Sequence, residues 1–257
     1  MSKRLVNKTA IITGAAKGIG LTISKRFAIE GANVVLADID EKSLEKSKNN
    51  TSLNSTNSEF VVTDITSKKS INNLIQNTLM RFSKINILIN NAGIAPNNLI
   101  ENQSLKEWEK VIRTNLTGYF LCSKAVVESM NNIGGGHIVN ISSISGQRGS
   151  VGRSAYGVSK AGIIQLTREM AVEFANMNIL VNSIAPGPII TDITNNSDVA
   201  KNSYLDRIPL RRFGNKESVA SAAVYLSSDE CDFTTGHTLN VDGGFNDAGL
   251  LFPKDKL

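Results

Sequence analysis

Apolar runs of strand length recur at regular intervals between stretches of helical spacing, and this alternation constrains the chain more than any other feature. The runs are TAIIT (Thr9 to Thr13), NVVLAD (Asn33 to Asp38), EFVVTD (Glu59 to Asp64), INILIN (Ile85 to Asn90), HIVNIS (His137 to Ser142), ILVNSI (Ile179 to Ile184) and TLNV (Thr238 to Val241). Between them apolar residues fall at helical intervals, as in Leu74, Ile75, Leu79 and Phe82, or Ala161, Ile164, Leu166, Met170 and Phe174. Continuously apolar strands alternating with helices predict an α/β fold with a doubly wound, seven-stranded parallel sheet covered by helices on both faces. Ligands of such sheets bind at the carboxyl ends of the strands.

At 257 residues, 41% of them hydrophobic, the chain can bury a large core, and residues 1–257 read as one domain. A loop at about 187–209 reads as a lid over the site, and 245–257 as a C-terminal tail. The net charge of +5 is spread along the chain and interleaved with acids, which argues against nucleic acid as a partner. No apolar run suggests a signal peptide or a membrane span, and two isolated cysteines suggest a reducing cytoplasm. His137 and His237 have no acidic partners in sequence and read as structural, so no metal is expected.

The motifs sit where the strand-end rule wants them. TGAAKGIG (Thr13 to Gly20) follows the first strand and opens a helix, so Gly14, Gly18 and Gly20 can bring backbone amides and a helix N-terminus to a pyrophosphate. Asp38 closes the second strand, where a carboxylate can accept both adenosine ribose hydroxyls and repel a 2′-phosphate; capping a helix is its plainer role. Asp64 is expected to close the third strand in the same way, toward the adenine. With NNAG (Asn90 to Gly93), the Asn115 of TNLTG, ISSISG, YGVSK, APGPIIT and VDGG, the chain resembles a classical short-chain dehydrogenase/reductase from about Lys8 to Phe245.

That resemblance implies a Rossmann fold and an oxidoreductase that interconverts a secondary alcohol and a ketone. It implies Asn115, Ser143, Tyr156 and Lys160 as the catalytic group, with Ser142 as the alternative serine; strand alternation turns Ser142 away. It further implies cofactor contacts from Gly14, Lys17, Gly18, Ile19, Gly20, Asp38, Asp64, Ile65, Asn91, Ala92, Gly93, Tyr156, Lys160, Pro186, Gly187, Ile189 and Thr191. Substrate is expected at Ser143, Tyr156 and Arg153, the last as an anion site or a surface arginine. Tyr156 and Lys160 are one helical turn apart on one face. Lys160 supplies one positive charge and the oxidised nicotinamide another. A unit charge about 4 Å from a phenol is worth about 4 kcal/mol at an effective dielectric of 20, about three pKa units before desolvation is subtracted, enough to poise Tyr156 near 7.

Asp38 points to NAD as cofactor rather than NADP, with Lys17 as a counterweight. A rival is the NADPH-dependent 3-oxoacyl-carrier-protein reductase, whose motifs are the same. Against it, MNNIGGGH (Met130 to His137) and ANMN (Ala175 to Asn178) stand where those reductases carry basic residues for an acidic carrier. A catalytically silent nucleotide-binding protein is the non-enzyme alternative. Apolar excess on the helices that should contain Trp108 to Met130 and Ala155 to Ala175 suggests, by resemblance, a homotetramer.

Overall fold

A computed structural model of the chain describes residues 3–49, 53, 56–190 and 198–249. Seven strands, β1 (Thr9–Thr13), β2 (Asn33–Asp38), β3 (Ser58–Val62), β4 (Ile87–Asn90), β5 (Gly136–Ile141), β6 (Ile179–Pro186) and β7 (Thr238–Val241), form one sheet in the order β3-β2-β1-β4-β5-β6-β7. Every pairing is parallel. The predicted Rossmann architecture is therefore present, and the strand order reverses between β1 and β4, which opens a crevice above their carboxyl ends.

Eight helices accompany the sheet among the described residues: α1 (Gly18–Ile29), α2 (Glu41–Ser47), α3 (Lys68–Phe82), α4 (Leu105–Ile112), α5 (Gly118–Asn132), α6 (Ser154–Glu173), α7 (Asp198–Leu205) and α8 (Lys216–Ser227). Successive strand residues feed opposite faces, as the period of two requires. Ile12, Leu36, Ile89 and Val139 join Phe27 of α1 and Val224 of α8 in one core. Their neighbours Ile11, Val35, Leu88 and Ile138 join Leu74, Tyr119 and Ile163 of α3, α5 and α6 in the other. The inner strands β1, β4, β5 and β6 are buried on both sides, which is why they show no apolar–polar alternation; the edge strands β3 and β7 are only partly buried.

Helix starts divide into two kinds. Asp40, Ser67, Ser104 and Asn215 each accept a hydrogen bond from the backbone N–H three residues on, capping α2, α3, α4 and α8. The starts of α1 and α6, at Lys17 and Arg153, have no side-chain cap. Both lie beside the crevice, so their orphan N–H groups are left for solvent or a ligand.

Two sequence expectations shift here. β3 ends at Val62, so Asp64 lies two residues beyond the strand, where its Oδ1 accepts from Thr66 N and Oγ1, both at 2.8 Å. The segment expected as a lid loop contains the helix α7, while Thr191, expected at the cofactor, lies outside the described residues. Among the described residues no helix is long and apolar enough to cross a membrane, and no cluster of His, Cys, Asp and Glu could hold a metal ion. His137 is buried at the start of β5, and burial lowers its pKa to about 4, which keeps the imidazole neutral.

Candidate active site

The glycine loop is shaped for close approach. Gly14 and Gly18 have φ of 63° and 59°, and a Cβ on Gly14 would stand 2.6 Å from Ala92 Cα. Gly20 is tighter still, since a Cβ there would lie 2.3 Å from the Gly14 carbonyl oxygen. Asn91 locks the loop to β4, donating from Nδ2 to the Thr13 and Gly14 carbonyls at 3.0 Å each. Thr13 Oγ1 in turn accepts from Asn91 N and Ala92 N. With α1 uncapped above it, this cradle fits the pyrophosphate of a dinucleotide.

Asp38 is the loop's second fastening. Its Oδ2 accepts from Ala16 N and its Oδ1 from Asp40 N, both at 3.0 Å, so it holds the turn and also presents a carboxylate at the end of β2. Lys17 reaches across to Asp40 at 3.8 Å. Ile65 packs its side chain into the core against Gly118, so only its backbone is open to a cofactor.

Across the crevice, α6 carries Tyr156 and Lys160 over the end of β5. Ser142 Oγ donates back to the Lys160 carbonyl at 3.0 Å and is spent on structure. Ser143, the next residue, hydrogen-bonds with Tyr156; both serines lie beyond β5, so the turn after the strand rather than strand alternation separates them. Asn115 is brought in by a π-turn at Arg113–Thr117 that interrupts the run from α4 into α5. Its Oδ1 accepts from Ile94 N and its Nδ2 donates to Ile94 O, both at 2.9 Å, and Nδ2 also donates to Ser159 Oγ at 3.1 Å. The amide thus pins the NNAG segment to α6, with Gly93 between Asn115 and Lys160.

The electrostatics differ from the sequence arithmetic. Burial lowers the Lys160 pKa to about 7, so near neutrality about half of these side chains are uncharged. Its Nζ donates to the Ile141 carbonyl at 2.7 Å and sits 5.6 Å from the Tyr156 ring centroid. Burial accordingly keeps the Tyr156 phenol above its ordinary value, opposed by Ser143 and by the charge of Arg153. A phenol near 7 is not a property of the protein alone; it requires further positive charge in the site.

Tyr119 was not foreseen. Fully buried on α5, it offers its ring face to Lys160 Nζ at 5.2 Å and donates from its hydroxyl to the same Ile141 carbonyl at 3.3 Å. In sequence it is one aromatic in the apolar stretch GYFLC, and nothing there separates it from core filling.

Tyr156, Lys160, Ser143, Ile19, Asn91, Gly93, Pro186, Gly187, Ile189 and Arg153 all line one cavity of about 530 Å³. Its outer wall is Tyr204 of α7 and Phe213, edge to face with centroids 6.4 Å apart. Tyr204 comes from the segment expected as a lid, and Phe213 lies just beyond it.

A family model described as enoyl-(acyl carrier protein) reductase matches residues 14–246, and so spans loop, crevice and cavity together. The chain is a classical short-chain dehydrogenase/reductase. Among curated members of this family, 3-oxoacyl-[acyl-carrier-protein] reductase FabG of Chlamydia trachomatis is 41% identical over 246 residues, covering 95% of this chain and 99% of that protein. The enzyme of the same name from Thermotoga maritima is 38% identical, covering 94% and 98%. Among solved short-chain dehydrogenase/reductase structures, gox2181 superposes with a TM-score of 0.92 at 32% identity, covering 96% of this chain and 98% of that one. Levodione reductase superposes with 0.90 at 31% identity, covering 96% and 100%. The chain is thus an oxidoreductase of this family acting on CH–OH groups. The curated names favour the 3-oxoacyl reductase reading over the general alcohol dehydrogenase that the sequence put first.

Proposed function

We propose that this short-chain dehydrogenase/reductase reduces the ketone of a 3-oxoacyl thioester to a secondary alcohol, using NADH in preference to NADPH. The observation that carries the chemistry is the convergence of Ser143, Tyr156 and Lys160 on one cavity beside a glycine cradle. The thioester follows the names of the curated relatives. Held along Gly14 to Gly20, Asp38 and Gly93, with its reactive end near Pro186, Gly187 and Ile189, a reduced nicotinamide cofactor would supply a hydride, two electrons and one hydrogen, to the ketone carbon.

The chain's own groups then handle the substrate oxygen. Ser143 and the Tyr156 hydroxyl hold it by hydrogen bonds, and Tyr156 passes its proton to that oxygen as the alcohol forms. Lys160, shifted to about 7, is poised to replenish the phenol, and Asn115 stands beside the route a water would take from Lys160 outward. The binding site for the adenosine ribose is Asp38. Its negative charge stands where a 2′-phosphate would, and the nearby Lys17 is already partnered by Asp40.

With acetoacetyl-coenzyme A as substrate, kcat/KM should be about tenfold or more higher with NADH than with NADPH, equivalent to about 1.4 kcal/mol or more. A higher value with NADPH defeats the cofactor reading; turnover with neither defeats the substrate reading. In Asp38→Ser the preference should shrink, and activity with both cofactors should fall, because the same carboxylate ties Ala16 N and Asp40 N together.

The protein is further proposed to work in the cytoplasm as a homotetramer. Leu105, Phe120 and Val158 of α4, α5 and α6 are 70%, 46% and 50% exposed, an apolar excess suited to helix pairing between copies. Light scattering should give about four times the chain mass; a monomer mass at every concentration contradicts it.

A further inference from the structure

Next to the catalytic cavity lies a second, of about 670 Å³, and its walls carry three arginines: Arg148, Arg153 and Arg207. They come from separate places in the fold, the loop after β5, the start of α6 and the turn after α7. Among the described residues Asp206 is the single carboxylate in the lining, and it faces Arg211 at 3.9 Å. Arg153 and Tyr204 line both cavities, so the two share a wall.

Two of the guanidiniums are held in place. Arg148 Nε donates to Asn246 Oδ1 at 3.0 Å, and Arg153 Nη1 donates to the Ala95 carbonyl at 3.2 Å with its guanidinium carbon 5.4 Å from the Tyr156 ring centroid. Phe245 stacks obliquely on Tyr204, with centroids 6.0 Å apart, and gives the cavity an apolar flank. A volume of this order holds a small-molecule moiety, and arginines fixed by one hydrogen bond keep further N–H groups for an oxyanion.

We propose that this arginine cavity binds an anionic distal arm of the substrate while the ketone lies against Ser143 and Tyr156. The inference rests on the ketone reading above and adds the substrate class: a ketone joined to a phosphate or carboxylate that passes beneath Arg153. Two sources share that chemistry, the phosphates of a coenzyme A or 4′-phosphopantetheine thioester and a carboxylate of the substrate itself. An uncharged alcohol or sugar would leave three arginines unused.

The test compares charged ketones with neutral counterparts: acetoacetyl-coenzyme A against the N-acetylcysteamine thioester, and 4-oxopimelate against its diethyl ester. In the wild type, kcat/KM should be at least tenfold higher for the anionic member of one pair, and which pair responds identifies the source. That ratio should fall about tenfold in Arg207→Ala and in Arg148→Ala, with Arg207→Gln as the bulk-preserving check, and stay unchanged in Arg168→Ala on the outer face of α6. Ratios near one in both pairs, or ratios indifferent to the cavity arginines, overturn the proposal. Should no ketone be turned over, calorimetric titration of coenzyme A into enzyme saturated with NAD⁺ separates the two ideas. Binding that weakens tenfold in Arg207→Ala and with rising salt keeps the arm site and rejects the ketone reading; absent or arginine-independent binding rejects the arm site.

Discussion

Tyr156→Phe should lose about 10²- to 10⁴-fold in kcat while its affinity for NADH stays within a factor of two or three, because the substitution deletes one transferable proton and little else. The ring is held by contacts a phenylalanine retains: Lys160 Nζ at 5.6 Å and the Arg153 guanidinium carbon at 5.4 Å from its centroid. The hydroxyl's one side-chain partner among the described groups is Ser143, itself kept in place by Ser145 N donating to its Oγ at 3.1 Å. Single-turnover kinetics with acetoacetyl-coenzyme A, set beside a fluorescence titration with NADH, separates chemistry from binding. Turnover near the wild-type rate in this variant removes Tyr156 from the mechanism.

Lys160→Met should stabilise the fold and abolish most activity. The ammonium is 3% exposed, and burial lowers its pKa from 10.5 to about 7. A lowered cation pKa means that the unfolded chain binds the proton more tightly. Stability therefore rises with pH between about 7 and 10.5, and the full cost is present at and below pH 7. At 1.36 kcal/mol per unit the upper limit is about 5 kcal/mol, and roughly 2 to 4 is expected after relaxation. The Ile141 carbonyl would not be orphaned, since Tyr119 still donates to it at 3.3 Å. At matched protein concentration the variant should melt about 5 to 10 °C higher at pH 6, with the gain shrinking toward pH 10. An equal or lower melting temperature at pH 6, or a gain independent of pH, contradicts this account. The native lysine would then be a case of stability given up for function.

How much of this was legible depends on the range over which each signal acts. β1, β2 and β7 were read to the residue, because each is a short run rich in aliphatic residues that is bounded by polar or turn-forming residues. β3 was overrun by two residues, since Thr63 and Asp64 continue the polar–apolar text while Asp64 turns to accept from Thr66. The choice of Ser143 came from the family resemblance, and the two serines appear as one bonded to the α6 backbone and one at the phenol; β5 ends at Ile141, so the strand alternation expected to turn Ser142 away does not reach them.

What escaped was whatever depends on depth or on distant partners. The Tyr156–Lys160 spacing on a helix was readable; the removal of the ammonium from water, which halves its charge at neutrality, was not. Tyr204 and Phe213 reach the cavity through tertiary packing of α7 and the chain after it, which no periodicity specifies. The arginine cavity joins residues 148 and 207, some sixty positions apart, and no local motif marks it.

The π-turn at Arg113–Thr117 makes the length of that stretch as important as its composition. A π-turn is an α-helix carrying one surplus residue, so deleting Thr114 would allow the run from Leu105 to Asn132 to close into a regular helix. Everything on one side of the deletion would then rotate by about 100° relative to the other. Asn115 would swing off the Ile94 backbone, or α4 would be turned off its seat, with no other side chain altered. In a library of single deletions this short stretch should tolerate substitutions at exposed sites yet reject every change in residue number, while the polar connection around Asn49 absorbs both.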